Sequence, residues 1–178
     1  MNNWSKWHTP QRRLMPSALR SWLTDAGSLT RRLQAYNKNG FSVQLLGNHW
    51  IKPLAEESLL LQVPIHQMSL QREVRLLDGD TANVYARTVI PLETYYAMKQ
   101  RFTTLGNKPL GELLFTDPSV ERGSIEIACL RAGEWLYEVA LLEENYRPDE
   151  LWARRSRFYI GGKILLVNEI FLPTLRSV

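Results

Sequence analysis

Apolar and polar positions alternate with a period of two along much of the chain after residue 40, and this alternation predicts strands. Phe41 to Trp50 forms one. Met68 to Leu77 and Asn83 to Ile90 form two more, joined around Asp78-Gly79-Asp80, which is hairpin chemistry, and ended by Pro91. Ser124 to Leu130 adds another. Arg155 to Ile160 and Ile164 to Leu172 flank Gly161-Gly162 and read as a closing hairpin. Residues 16–36 instead show helical spacing: Pro16 opens the segment, and Leu19, Trp22 and Leu23 share a face. Ser28-Leu29-Thr30 starts a further helical stretch through Leu33, and Asn37 to Gly40 stops it. Leu92 to Leu105 reads as a helix, Leu113-Leu114-Phe115 as a short apolar turn after Pro109-Leu110-Gly111, and Glu134 to Leu142 fits a strand or a helix. Consecutive strands with short turns predict an antiparallel sheet with helices covering one face. The class is α+β, in a single domain over 1–178.

Two charges stand in apolar slots. The even positions of the strand at 68–77 are Met68, Leu70, Arg72, Val74 and Leu76, so Arg72 points with the core face. A guanidinium buried without partners costs several kcal/mol or more, so it needs anionic or hydrogen-bonding company. Glu169 lies in Ile164 to Leu172, where both faces are mostly apolar. Desolvation there favours the protonated carboxyl that a general acid requires. Arg87, between Tyr85 and Val89, is a third candidate on a strand whose faces are less distinct. An Arg72–Glu169 or Arg87–Glu169 pair that only satisfies itself in the core weighs about equally with a ligand pocket.

Composition narrows the partners. The chain has 178 residues, 44% hydrophobic and 22% charged, which suits one globular core. A net charge of +4 suits an anionic small molecule. Gln11-Arg12-Arg13 and Arg154-Arg155-Ser156-Arg157 are too short to argue for nucleic acid. Cys129 is the single cysteine, which excludes an intrachain disulfide, and on its buried-looking strand it reads as a small core thiol. His8, His49 and His66 lack metal-ligand spacing, and no phosphate loop appears, so neither metal nor cofactor is expected. Trp4, Lys6, Trp7 and His8 interrupt any signal-peptide pattern, and no apolar run reaches membrane-spanning length, so the expected location is the cytoplasm. Trp4 and Trp7 are candidates for packing on the core or touching a partner.

Several blocks then resemble the chorismate pyruvate-lyase family in order and spacing. They are Arg72-Glu73-Val74, Ala86-Arg87-Thr88-Val89-Ile90-Pro91, Leu105 to Gly111 with Leu114-Phe115-Thr116, Arg154 to Phe158, and Glu169-Ile170-Phe171-Leu172-Pro173. The resemblance runs from about Pro16 to Pro173. It implies a monomeric antiparallel sheet of about six strands, with helical flaps over an internal cavity. It further implies cofactor-free conversion of chorismate to 4-hydroxybenzoate and pyruvate, in bacterial ubiquinone biosynthesis. Carried over by position, Arg72 holds the ring carboxylate, Glu169 contacts the ring hydroxyl, and the backbone near Leu110 bonds the ligand from a flap. Leu29, where the family often carries Met, gives a further flap contact. Arg87 is expected to stabilise the departing enolpyruvyl carboxylate, and Glu169 either relays a proton or orients the hydroxyl. An enclosed product should leave slowly and inhibit. Residues 128–153, with Trp135, Tyr137 and Glu143-Glu144, are longer than the family's pattern and read as a lengthened hairpin or surface excursion. The competing readings are a ligand sensor of the same fold, a chorismate-using enzyme with another product, and a ligand-free domain.

Overall fold

The structure, a computed structural model, describes residues 6–106 and 108–175, so Trp4 and Asn107 lie outside the described residues. Helices α1 (Ser17–Thr24) and α2 (Leu29–Tyr36) precede strand β1 (Phe41–Ile51). Helix α3 (Ala55–Leu61) leads to the hairpin of β2 (Ser69–Asp78) and β3 (Thr81–Pro91). Short helices α4 (Leu92–Ala97), α5 (Lys99–Thr103) and α6 (Leu110–Thr116) come before β4 (Val120–Leu130). Helix α7 (Trp135–Ala140) and the hairpin of β5 (Leu151–Ile160) and β6 (Lys163–Phe171) complete the chain.

The six strands form one sheet in the order β1-β2-β3-β6-β5-β4, and every pairing is antiparallel. This is the α+β class that the alternation predicts. The closing hairpin turns on Gly161 and Gly162, at φ 54° and 76°. Two successive positive-φ residues suit a tight hairpin turn whose twist matches the strands, and only glycine adopts them without strain.

One face of the sheet is covered by α1 and α2. Trp22, Leu23, Leu29 and Leu33 pack there on Leu76, Val84, Ile127, Trp152 and Phe171. Trp22 is fully buried, and an aromatic residue of that size contributes on the order of 5 kcal/mol through burial. The segment predicted as helix over 16–36 breaks where the Asp25 carboxylate accepts from Gly27 N–H at 2.8 Å. Ser28 then caps α2 by accepting from Arg31 N–H at 3.3 Å. The helix predicted over 92–105 breaks likewise, at Met98, into α4 and α5.

Helices also cover the second face, which differs from the one-sided expectation. Leu61 of α3 packs on Val89 and Leu166. Tyr137 and Ala140 of α7 pack with Tyr85, Ala153 and Ile170. Segment 128–153 is therefore not a surface excursion: it ends β4, forms α7 and starts β5. Helix α3 went unassigned in the sequence, although Pro53 followed by Glu56 and Glu57 is a start signal.

Candidate active site

Strand register decides which side chains meet. On one face, Arg72 of β2 lies opposite Thr88 of β3, which pairs with Val167 of β6. Ala86 pairs with Glu169, which pairs with Arg154 of β5. Arg72 and Glu169 thus share a face, two strands and two residues apart, or about 12 Å between Cα atoms from ordinary strand spacings. Both line a narrow cavity of ≈ 50 Å³ between the sheet and the helices. Val74, Leu76 and Phe158 form its floor, with Leu29 and Thr30 of α2 and Leu110 and Gly111 of α6 over it. Four of the five residues singled out in the sequence, Arg72, Glu169, Leu29 and Leu110, therefore meet in one cavity.

Each charge is tied to a flap. Arg72 is 5% exposed, and its Nη2 donates to Gly106 O at 2.8 Å and Lys108 O at 3.2 Å, in the segment between α5 and α6. Burial lowers its pKa from the usual arginine value. Its remaining donors suit a ligand carboxylate, which a guanidinium grips through two parallel bonds.

Glu169 is not the isolated carboxyl that the desolvation argument assumed, nor is it paired with Arg72. It accepts from Arg154 Nε at 2.5 Å, and Arg122 Nη2 lies 3.9 Å from the same oxygen. Arg154 is 1% exposed and also donates to Trp22 O and Asp25 O, both at 2.7 Å. Arg122 donates to Ser156 Oγ at 3.0 Å. Burial and the charge of Arg154 push its pKa down to about 10, against the opposing pull of Glu169 and Asp25.

Arg87 does not join the other four in the cavity. It is 1% exposed, and it lies on the second face, paired bidentately with Glu57 of α3 at 3.1 and 3.0 Å. The Trp135 ring of α7 covers its guanidinium at 4.7 Å. The cause is a bulge. The hairpin pairs Leu77 with Ala82 but Leu76 with Val84, leaving Asn83 extra. Had the Leu77–Ala82 register continued without the bulge, Arg72 would lie opposite Arg87. With it, the parity of β3 flips and Thr88 takes the cavity face.

Sequence reasoning missed Arg154 and Arg122 as site residues. Arg154 could have been found: counting back from the two-residue Gly161-Gly162 turn pairs Ile160 with Lys163 and, with no bulge, Arg154 with Glu169. Arg122 could not. It precedes a bulge between Arg122 and Ile125 at which Gly123 stops the strand pattern, so the reading began β4 at Ser124. Arg155, next in the basic run, faces away and pairs with Glu126 and Glu56. Trp7 covers its guanidinium at 4.3 Å.

The sheet, with a guanidinium at one end of its cavity and an arginine-held carboxylate at the other, defines an α+β protein with a charged internal cavity. Comparison with known proteins narrows this. The family model for chorismate lyase matches residues 1–177, and the chain belongs to the chorismate lyase family. Similar proteins include a probable chorismate pyruvate-lyase from Aromatoleum aromaticum, 38% identical over 93% of this chain and 90% of that protein. Another, from Methylobacillus flagellatus, is 39% identical over 88% of this chain and 87% of that protein. Among solved structures, PhnF from Mycobacterium smegmatis matches with a TM-score of 0.57 at 13% identity, covering 86% of this chain and 67% of that one. The ligand-binding domain of a putative GntR-family regulator from Bordetella bronchiseptica matches with a TM-score of 0.56 at 13% identity, covering 76% and 84%. These likenesses show the fold alone.

Proposed function

We propose that this chain is a chorismate pyruvate-lyase, converting chorismate to 4-hydroxybenzoate and pyruvate. The observation that carries the reading is the shared cavity of Arg72 and Glu169, closed by Leu29 and Leu110 of two flaps. In the reaction the carbon–oxygen bond to the enolpyruvyl group breaks and its electron pair leaves on oxygen. The adjacent hydroxyl-bearing carbon loses its proton, the ring becomes aromatic, and the released enolate takes up a proton as pyruvate. Aromatisation supplies the driving force, so the protein's contribution is orientation and charge stabilisation.

Arg72 anchors the ring carboxylate. Glu169 faces the hydroxyl end, where it orients that group and stands beside the proton to be lost. Arg154 donates to it and Arg122 stands beside it. A cavity of ≈ 50 Å³ is too small for substrate to enter unless the flaps part, which supports release-limited turnover and inhibition by 4-hydroxybenzoate. The same reading makes the protein a cytoplasmic monomer without cofactor, acting at the head of ubiquinone synthesis. Among the described residues no helix is long and apolar enough to cross a membrane.

The fold likeness to GntR-family regulators gives a second reading, a sensor that binds without chemistry. The test is kinetic. Arg72→Ala should lower kcat/KM for chorismate roughly a hundredfold, the scale for losing a buried charge-assisted grip, and Glu169→Gln should lower it too, measured per folded protein because the change also takes the carboxylate from the buried Arg154. Ligand-induced stabilisation without pyruvate release would favour the sensor, and full activity in both variants would refute the site.

A further inference from the structure

Arg122 and Arg154 each look two ways. On one side they meet the Glu169 carboxylate at the hydroxyl end of the cavity. On the other they hold the turn between α1 and α2. Arg154 Nη1 donates to Asp25 O at 2.7 Å, and Arg122 Nη1 donates to Asp25 O at 3.4 Å, Ala26 O at 3.2 Å and Gly27 O at 3.3 Å. That turn ends at Ser28, the cap of α2, directly before the cavity-lining Leu29 and Thr30. Among the described residues no other side chain takes the carbonyls of Asp25, Ala26 and Gly27, so the two guanidinium groups hold the turn that leads into α2, which Arg32 of α2 also ties to α1 through Ser21 and the Asp25 carboxylate.

We infer that Arg122 and Arg154 are positioning residues that couple the charge of Glu169 to closure of the α1–α2 flap. This rests on the reading that Glu169 serves the hydroxyl end of the ring. When Glu169 is a carboxylate, its charge offsets two neighbouring guanidinium groups, which then sit against the sheet and draw the turn down. When it is protonated, the arginines face each other with only backbone carbonyls and the more distant Asp25 as negative company. Their repulsion then loosens the turn. Closure of the flap and readiness of the carboxylate are thus one event. The second flap has its own anchor in Arg72, which binds Gly106 O and Lys108 O.

The charged groups facing Glu169 are Arg154 on β5, Arg122 on β4 and Arg72 across the cavity on β2, with Asp25 beyond the two arginines. Arg122 is the better residue to change, since Arg154 lies deeper. Its aromatic surroundings, Phe158 at 5.4 Å and Phe115 at 5.9 Å, accept a shorter, neutral side chain.

The test measures kcat/KM for chorismate against pH, and inhibition by 4-hydroxybenzoate, in wild type, R122Q and R122K. R122Q removes a positive charge beside the Glu169 carboxylate, so the acid limb should move to higher pH. Loss of the carbonyl grip should weaken 4-hydroxybenzoate inhibition about tenfold, the scale of a charged hydrogen bond. R122K keeps the charge but presents fewer, differently placed donors, so it should restore the acid limb and leave inhibition weakened. A merely structural arginine would move neither limb nor inhibition once folded protein is counted. If R122Q does not fold, R122K carries the test through its inhibition constant. An active wild type with variants unchanged in limb and inhibition overturns the coupling alone. A wild type that releases no pyruvate overturns the lyase reading, and the coupling with it.

Discussion

Replacing Glu57 by Gln separates the two roles open to Arg87. The guanidinium is 1% exposed, and the Glu57 side chain of α3 meets it through two bonds at 3.1 and 3.0 Å. Glu57 also accepts from Leu54 N–H at 3.0 Å at the start of α3. Removing one partner of a buried ion pair costs about 3–5 kcal/mol, because the other charge stays desolvated. Glutamine keeps the shape and one acceptor oxygen, which places E57Q at the low end, about 3 kcal/mol. For a chain of this length that corresponds to a fall in Tm of roughly 6–12 °C. The activity of the protein that remains folded should change little, since Ala86 and Thr88, not Arg87, line the cavity. The assay is thermal melting followed by circular dichroism, with pyruvate release measured well below the transition. A Tm within about 2 °C of wild type would refute the claim that this pair carries stability. A large loss of kcat/KM at unchanged Tm would refute the placement of Arg87 outside the chemistry.

Two further outcomes follow from the same structure. A Cβ at Gly111 would stand 2.6 Å from Thr30 Oγ1, where α6 meets α2, so G111A should force the flaps apart. It should weaken 4-hydroxybenzoate inhibition about tenfold, since overpacking costs about 1–3 kcal/mol; unchanged inhibition would show that the flaps do not need this contact. Burial and a hydrogen bond to Glu150 push the Cys129 thiol up to about 11, leaving about a thousandth of it as thiolate at pH 8. Alkylation by iodoacetamide should therefore be slow at pH 8 and quicken towards pH 11, and rapid labelling at pH 8 would contradict the raised pKa of this half-buried thiol.

The legible and illegible parts of this protein divide on strand parity. In β2 the alternation runs unbroken from Leu70 to Leu76, and it places Arg72 on the cavity face correctly. For β3 the two faces are less distinct in the sequence, and the bulge at Asn83 sets Thr88, not Arg87, on the cavity face. Glu169 was visible as an exception in an apolar strand, but the strand alone does not show which groups answer it. Its first partner was within reach by counting from the glycine turn, and its second lay beyond a bulge. The basic run at Arg154-Arg155 carries no information as composition. Alternation sends one arginine to each face, where each finds its own carboxylate. The length of segment 128–153 was plain in the sequence, while its packing on the second face depends on contacts between Tyr137, Tyr85 and Ile170 that no local pattern encodes.

The most direct test of the account is stoichiometry. Purified protein incubated with chorismate should release 4-hydroxybenzoate and pyruvate in equal amounts, resolved by chromatography, and Arg72→Ala should suppress both together. Pyruvate with a different aromatic or dihydroxylated product would contradict the assigned reaction. Chorismate left intact by protein that binds it would contradict the lyase itself.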